Sequence, residues 1–418
     1  MKFFFADSMD LVDPSFDFET ETRSETRVRQ RDDVYPHEVF AQPPYDGMLV
    51  SHAIVQGTGG KSSKYTIAQR QRFLRLGARA FLRLDNSPTR TPLLSMGDCG
   101  AFAYVNEERP PVSVEEMVEF YGNAGFDYGA SVDHIILAYR PELDTGLPGV
   151  DAVPPDYSLR QKITLELAVT FLERHSQTGA SFTPVGVAQG WSPRSYANAV
   201  VSLQSMGYSY IALGGMVSLK TREILECLRS VNEVRTDRVG LHLFGVTRLE
   251  LVRDLLSDNG VVSFDSTSPL RQAFKDDADN YHTPELNYSA LRVPQVDGSP
   301  KLQKLIRSGA VDYSDAVTLE SECLRLLRLY DDGRTSLARV LEALTQYQGL
   351  YEPGKDRNEA YSLTLEHMPW KSCECEVCQS IGIHVVVFRG AERNRRRGFH
   401  NLWVLRQKLA AKPSEGRT

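Results

Sequence analysis

The chain has 418 residues, of which 41% are hydrophobic and 24% are charged. This is the ordinary composition of a globular protein, and it excludes a fibrous repeat or a chain that is disordered throughout. Six cysteines are too few for a disulfide framework in this length. The formal net charge of −6 excludes a surface that is basic all over, so a nucleic-acid site would have to be a local patch.

The apolar start of the chain is brief because Asp7 and Asp10 interrupt it, so we do not expect a signal peptide. No apolar run approaches the roughly 18 residues that span a membrane. We therefore expect a cytoplasmic protein with no membrane partner. Residues 1–44 mix acidic and basic side chains, which predicts a wrapping N-terminal segment with little core of its own.

From residue 45, short apolar runs alternate with longer stretches whose apolar residues recur at helical spacing. Glycine often follows the helical stretches, as expected of a helix C-cap. The runs that we predict as strands are Gly47–Val55, Ala78–Leu84, Leu94–Cys99, Tyr128–Ile135, Pro184–Gln189, Tyr210–Gly214, Val239–Phe244 and Val261–Asp265. The stretches that we predict as helices include Ala68–Leu76, Ser113–Ala124, Leu159–Thr178, Pro193–Met206, Ser218–Ser230 and Arg248–Ser257.

This alternation indicates parallel strands joined by helices, and eight strands in about 220 residues fit a (β/α)8 TIM barrel. A doubly wound open sheet is the alternative. Residues 272–312 are polar and rich in turn residues, which predicts a long surface insertion or lid. We predict four regions: the N-terminal segment 1–44, a barrel over 45–365 that includes the insertion, a metal-binding module over 366–408, and a flexible tail over 409–418.

Three cysteines lie within six positions and form the pattern Cys-x-Cys-x-x-Cys: Cys373, Cys375 and Cys378. Zn²⁺ prefers tetrahedral sulfur and nitrogen ligands, so the spacing predicts a zinc site. His384 and His400 are both candidates for the fourth ligand. We prefer His400, because His384 begins an apolar run that is typical of a strand. Four protein ligands would make the metal structural. The other cysteines are expected to be small packing residues: Cys99, Cys227 and Cys323. Cys99 stands out among them because it adjoins Asp98.

Active sites of (β/α)8 barrels lie at the C-terminal ends of the strands, so polar residues that end an apolar run are candidates. Two carboxylates at one barrel mouth could divide the work of a glycosyl transfer, one attacking the anomeric carbon and the other moving a proton. A single aspartate at a strand end is more often a cap or turn residue, so only the group as a whole is informative. Its members are Asp98, Asp133, Gln189, Gly214, Gly215 and Asp265.

Five arginines lie within nine positions shortly before His400. They could neutralise phosphates of a nucleic acid, or they could form the solvated face of a helix. The sequence does not separate these two interpretations. The five are Arg389, Arg393, Arg395, Arg396 and Arg397.

The motifs at Asp98–Phe102 and Phe264–Arg271, followed by Cys-x-Cys-x-x-Cys and a histidine, resemble the tRNA-guanine transglycosylases in residue type and in order. The resemblance extends from about residue 45 to residue 405. Enzymes of that family are zinc-containing (β/α)8 barrels that exchange a guanine in a polynucleotide for a 7-deazaguanine base without cutting the backbone.

The resemblance implies a role for each matching residue. Asp265 would be the nucleophile that attacks C1′ and holds a covalent glycosyl intermediate, and Asp98 would be the general base that deprotonates the incoming base. The zinc ligands would be Cys373, Cys375, Cys378 and His400. The substrate would be bound by Asp133, Gln189, Gly214, Gly215, Phe102 and Arg271.

Two departures from the tRNA enzymes bear on the substrate. Phe274 stands where they carry a second arginine that grips the anticodon loop, and Lys220 stands where they carry a glutamate that faces a cationic aminomethyl group. The neutral nitrile of 7-cyano-7-deazaguanine (preQ0) would not need that glutamate. The start Lys2–Ser8 and the run Met96–Phe102 are similar to the DNA-guanine transglycosylases of 7-deazaguanine DNA-modification systems.

This second resemblance implies DNA as the macromolecular partner, with the target guanosine flipped out or already single-stranded. It also implies an ATPase partner encoded nearby and leaves room for a homodimer. Three alternatives stay open. They are the same reaction on tRNA, a non-catalytic nucleic-acid-binding subunit, and an ordinary retaining glycoside hydrolase, which would not require the cysteine cluster.

Overall fold

The computed structural model of the chain describes residues 1–58, 60, 62–86, 91–144, 152–245, 259–275 and 278–411. The helix predicted over Arg248–Ser257 and most of the predicted tail lie outside these residues. The chain forms two compact units. One contains Met1–Met9 and Tyr45–Ser268, and the other contains Asp10–Pro44 and the described residues from Pro269 to Ala411. The predicted N-terminal segment is therefore divided between the two units.

The first unit is a closed barrel of eight parallel strands in which neighbours follow chain order and the last strand pairs with the first. This confirms the predicted (β/α)8 barrel. The side chains that fill its interior include Phe4, Leu49, Met96, Val187 and Ala212. The strands are β1 (Lys2–Ala6), β2 (Gly47–Ser51), β3 (Leu94–Asp98), β4 (Tyr128–Ala130), β5 (Thr183–Ala188), β6 (Tyr210–Leu213), β7 (Gly240–Leu243) and β8 (Val261–Ser266).

The described residues between and after the barrel strands form a series of helices. None of these helices combines the length and the hydropathy that a membrane span needs. They are α1 (Pro36–Val39), α2 (His52–Gln56), α3 (Ile67–Phe81), α4 (Val114–Ala124), α5 (Pro155–Thr178), α6 (Pro193–Met206), α7 (Thr221–Val234), α8 (Ser268–Gln272), α9 (Pro300–Arg307), α10 (Tyr313–Asp331), α11 (Leu337–Tyr351), α12 (Asn358–His367), α13 (Pro369–Ser372), α14 (Glu376–Ile381) and α15 (Gly390–Ala410).

Two predictions about the strands were wrong. The run Ala78–Leu84 is not a strand, because α3 continues to Phe81 across a kink at Gly77, whose φ is +79°. The prediction placed the end of the helix at this glycine, which was too early. The remaining barrel strand is instead β1, at the start of the supposed wrapping segment. Phe3, Phe4 and Phe5 are all buried there, so these few residues contribute a strand and core side chains to the barrel.

The second unit contains α9 to α15 and a two-stranded parallel sheet of β9 (Leu291–Arg292) and β10 (Val387–Phe388). The prediction that residues 272–312 form a surface insertion or lid was wrong for much of this range. Tyr281, Leu291 and Val293 are fully buried, and β9 takes its partner strand from near the cysteine cluster. The segment was predicted to lie on the surface because most of its residues are polar or typical of turns. Several of its apolar residues are nevertheless buried in the core of the second unit.

Four of the five clustered arginines are structural, and neither of the two interpretations left open by the sequence, phosphate contact or a solvated helix face, holds for them. Arg389, Arg393, Arg396 and Arg397 are all buried. Arg389 makes a two-pronged pair with Glu21, with both N–O distances at 2.6 Å. Burial opposes ionisation of Glu21, but the hydrogen bonds from Arg389 and Gln295 and the charge of Arg393 lower its pKa to about 2.

Candidate active site and metal centre

The C-terminal ends of the barrel strands carry most of the predicted site residues. Asp98 is the last residue of β3, and Asp265 is the last but one of β8. Gln189 and Gly214 directly follow β5 and β6, and Asp133 comes three residues after β4. Because all the strands are parallel, their C-terminal ends meet at one mouth of the barrel. The predicted carboxylates and the glutamine therefore belong to one region of the first unit.

Asp133 is held by hydrogen bonds on both of its carboxylate oxygens. The Cys99 thiol donates to Oδ1 across 3.1 Å, and Gln189 Nε2 donates to Oδ2 across 2.6 Å. The amide orientation of Gln189 is fixed, because its Oε1 accepts from the backbone N–H of Ile136. Burial raises the pKa of the Cys99 thiol, which keeps it protonated and able to donate. Cys99 was expected to be a packing residue but stood out by adjoining Asp98, and its contact with Asp133 is the feature that the sequence did not predict.

Asp98 lies close to Asp133 and feels the charge of Asp265. The Cys99 Sγ atom and one carboxylate oxygen each of Asp98 and Asp133 lie within 4.8 Å of one another. Burial, followed by the charge of Asp133 and then that of Asp265, raises the pKa of Asp98 to about 7. Asp98 can therefore both donate and accept a proton near neutral pH, which is the property required of a general acid–base catalyst.

Asp265 has its Oδ1 atom held by a backbone donor and a histidine. The Gly245 N–H donates to Oδ1 across 2.9 Å, and His242 Nε2 lies 3.3 Å from the same oxygen. The Asp265 side chain keeps 11% of its surface exposed, whereas His242 is fully buried. The carboxylate thus reaches the barrel mouth from a fixed position.

Gly214 and Gly215 leave the space that Gln189 occupies. A Cβ atom on Gly214 would lie 2.1 Å from Gln189 Nε2, and one on Gly215 would lie 2.5 Å from the carbonyl oxygen of Ile136. The Gly214 backbone is itself engaged, because its N–H donates to Ala188 O and its carbonyl accepts from the Tyr196 hydroxyl. Any side chain at position 214 would therefore overlap with the amide of Gln189.

The remaining residues predicted to bear on the substrate have exposed side chains. Phe102 lies on a short 3-10 helix after β3, and 52% of its surface is exposed. Arg271 lies on α8 in the second unit with an exposed side chain. Lys220 is exposed at the N-cap of α7. Among the described residues, no hydrogen bond or ring contact joins Phe102 to the carboxylate group.

The predicted metal ligands converge on one point of the second unit. The Nδ1 atom of His400 lies 3.4 to 3.5 Å from all three thiol sulfurs of the cluster. The four ligand atoms lie within 4.8 Å of one another, a group that could hold a metal ion. The preference for His400 is consistent with this geometry, whereas His384 lies on a 3-10 helix and contacts Arg393.

The neighbours of His400 hold its ring in the orientation that ligation requires. Its Nε2 atom lies 2.7 Å from the carbonyl oxygen of His282, so Nε2–H is the donor and Nδ1 is left to face the sulfurs. The ring of Tyr281 stacks on the imidazole at 4.1 Å, and its hydroxyl lies 3.2 Å from the sulfur of Cys378. Three thiols and a correctly oriented imidazole are the donor set of a tetrahedral zinc site.

Several residues of both sites were missed by the sequence predictions, chiefly His242, Ser263, Tyr281 and His282. A signal for two of them was present. Ser263 lies two residues before Asp265 on the same strand, and His242 is a polar residue inside a predicted apolar strand. Tyr281 and His282 gave no such signal, because they lie in the range that was predicted as a surface insertion.

No protein-family model matches the chain. A DNA-guanine transglycosylase from Salmonella montevideo is 50% identical to it over 414 residues, which cover 98% of this chain and 96% of that protein. The similarity therefore extends over both compact units.

Proposed function

Because the chain belongs to the DNA-guanine transglycosylase family, we propose that it exchanges a guanine base in DNA for a free 7-deazaguanine base. The observation that carries this proposal is the juxtaposition of two unlike carboxyl groups at one barrel mouth. Asp98 has a pKa near neutrality, and Asp265 is fixed by donors to one oxygen. One is suited to move a proton and the other to attack a carbon atom.

In the first half of the reaction, Asp265 attacks C1′ of the target nucleoside. The bond between C1′ and N9 breaks, its electron pair goes to the departing guanine, and protonated Asp98 gives that guanine a proton. A covalent glycosyl ester on Asp265 results. Asp98 is left ionised, which is the form that the second half needs.

In the second half, ionised Asp98 takes the N9 proton of the incoming base. The freed nitrogen attacks C1′ and displaces Asp265, which leaves as a carboxylate. Protons balance over the cycle, and both carboxyl groups return to their initial states. Two inversions at C1′ give net retention, and the DNA backbone is never cut.

Asp133 and Gln189 are the groups that we assign to base recognition. A carboxylate accepts two hydrogen bonds side by side, which matches the ring N–H and exocyclic amine of a guanine-like base. Gln189 uses one amide N–H on Asp133 and keeps the second for the base. Lys220 puts no carboxylate at the position of the aminomethyl-binding glutamate, so 7-cyano-7-deazaguanine is the base that we propose.

The metal that the donor set fits best is zinc, held by Cys373, Cys375, Cys378 and His400. When bound, it would link the chain near α14 to α15, and with four protein ligands it has no role in the exchange chemistry. A base inside a duplex hides its C1′, so the target nucleotide must be extruded at a cost of a few kcal/mol or be single-stranded already. An ATPase partner and a homodimer stay predictions.

The test is incorporation of labelled 7-cyano-7-deazaguanine into single-stranded DNA, duplex DNA and tRNA, with trapping of the covalent adduct on denaturing gels. We expect label and adduct on DNA with the wild type and neither with Asp265→Asn. Asp237→Asn, which alters an exposed aspartate before β7, is the matched control and should behave as the wild type. Label in tRNA alone would contradict the DNA substrate. No adduct on any polynucleotide would favour a non-catalytic binding subunit.

A further inference from the structure

The last two barrel strands pair with a break in register beside Asp265. Leu241 of β7 pairs with Val261 of β8, but the next residue, His242, pairs with Ser263. Strand β8 therefore has one extra residue at this point, and such a bulge redirects neighbouring side chains. Ser263 and Asp265 are two residues apart and share one face of β8. The bulge brings His242 level with that face.

A line of buried hydrogen-bonding groups leads from Tyr210 to Asp265. The hydroxyl of Tyr210 contacts that of Ser263, and Ser263 Oγ lies 2.6 Å from His242 Nδ1. His242 Nε2 then faces Asp265 Oδ1. Because an ionised carboxylate can only accept, Nε2 must carry the proton. Nδ1 then accepts from Ser263, and Ser263 accepts from Tyr210.

We propose that His242 is a positioning residue that holds the carboxylate of Asp265 by a hydrogen bond to its Oδ1 atom; this inference rests on the proposed function above. Oδ1 receives both donors, the Gly245 N–H and the His242 Nε2–H. No donor within the described residues contacts Oδ2. The geometry therefore assigns Oδ2 as the oxygen that bonds to C1′.

This arrangement acts unequally on the two halves of the exchange. When Oδ2 bonds to C1′, the carboxylate loses its charge and the hydrogen bonds to Oδ1 weaken. When that bond breaks, the electron pair returns to the carboxylate and the same two donors stabilise it. His242 therefore accelerates breakdown of the covalent intermediate more than its formation. Removing His242 should make the intermediate accumulate.

The experiment uses the full chain, DNA oligonucleotides and free 7-cyano-7-deazaguanine, and it measures the exchange rate and the steady-state fraction of trapped adduct. His242→Phe keeps a ring beside Phe4 and Phe244 but removes both nitrogens. We expect exchange to slow about tenfold or more while the adduct fraction rises. His242→Gln retains an N–H donor and should recover part of the rate. The control is His175→Gln, which alters a histidine bonded to the carbonyl of Phe182, and it should change neither quantity.

A parallel loss of exchange and adduct in His242→Phe, or a Gln variant no better than the Phe variant, would overturn the positioning role. If the Phe variant does not fold, Ser263→Ala replaces it, because it deprives Nδ1 of its donor and should shift the adduct fraction in the same direction. An unchanged fraction in that variant would also overturn the inference. A wild type that forms no adduct on DNA would instead contradict the proposed function.

Discussion

Asp98 makes the folded protein less stable as the pH rises, and replacing it should reveal this directly. Burial and two neighbouring carboxylates raise its pKa from 3.8 to about 7. The stability that protonated Asp98 provides is complete below pH 3.8 and is lost as the pH rises through 7, because the native state binds more protons than the unfolded state in that range. Asp98→Asn cannot titrate, so its stability should exceed that of the wild type increasingly up to about pH 7.

The size of the effect follows from the two pKa values. A rise from 3.8 to about 7 corresponds to about 4 kcal/mol at most. Asp98 is not completely shielded from solvent at the barrel mouth, and solvent screening reduces this to about 2 kcal/mol. Between pH 5 and pH 8 we expect the advantage of Asp98→Asn in the free energy of unfolding to grow by about 1 to 1.5 kcal/mol, because part of the total already develops between pH 3.8 and pH 5.

Urea denaturation followed by circular dichroism at pH 5, 6, 7 and 8 measures this difference, provided that the urea dependence is the same for both proteins. Glu115→Gln, which removes an exposed carboxylate on α4, controls for the loss of one negative charge. A stability difference that does not vary with pH would refute the assigned protonation behaviour. The stabilised Asp98→Asn variant should nevertheless lack exchange activity, since it cannot move a proton.

Three other changes probe the remaining features. Gly214→Ala should keep the fold but raise the KM for the free base about tenfold or more, because the added methyl group displaces the Gln189 amide. Steady-state exchange measures this KM, and an unchanged value would contradict the proposed base pocket. Glu21→Gln should lower the free energy of unfolding by about 3 kcal/mol, since it leaves Arg393 buried without its carboxylate and Arg389 with Glu320 alone. A neutral effect in urea titrations would be inconsistent with this pairing. Cys378→Ser should reduce the zinc content from about one ion per chain to near zero and lower the melting temperature; full zinc occupancy in this variant would rule out the proposed ligand set.

The sequence predicted the features that depend on local pattern. Parallel barrel strands are apolar and short, and the polar residues at their C-terminal ends stand out against them, so Asp98 and Asp265 were identifiable. The cysteine spacing likewise predicted a candidate metal site, since three of its four members lie within six positions of the chain. In each case the interacting groups either lie near one another in sequence or are placed by the regular geometry of the barrel.

The features that the sequence did not predict depend on partners far away in the chain. From the sequence alone, Arg393 is indistinguishable from a surface charge. In the structure it pairs with Glu21, which lies 372 positions earlier in the chain. Strand β1 was predicted as part of a charged segment. Its second partner is β8, the last barrel strand in chain order, and the sequence near β1 gives no sign of that pairing. The roles of Cys99 and His242 depend on which neighbours the fold supplies, Asp133 for one and Asp265 for the other, and residue type alone does not specify them.

Closure of the barrel has a consequence for the protein during its synthesis. Strand β1 is synthesised before the other seven barrel strands, yet Phe4 in that strand pairs with Asp265 in β8. This ladder therefore forms only after the intervening chain has been translated. Such long-range pairing is slow to form. Asp265, the proposed nucleophile, therefore reaches its final position in the same event that closes the sheet, and a growing polypeptide should not exchange bases until then.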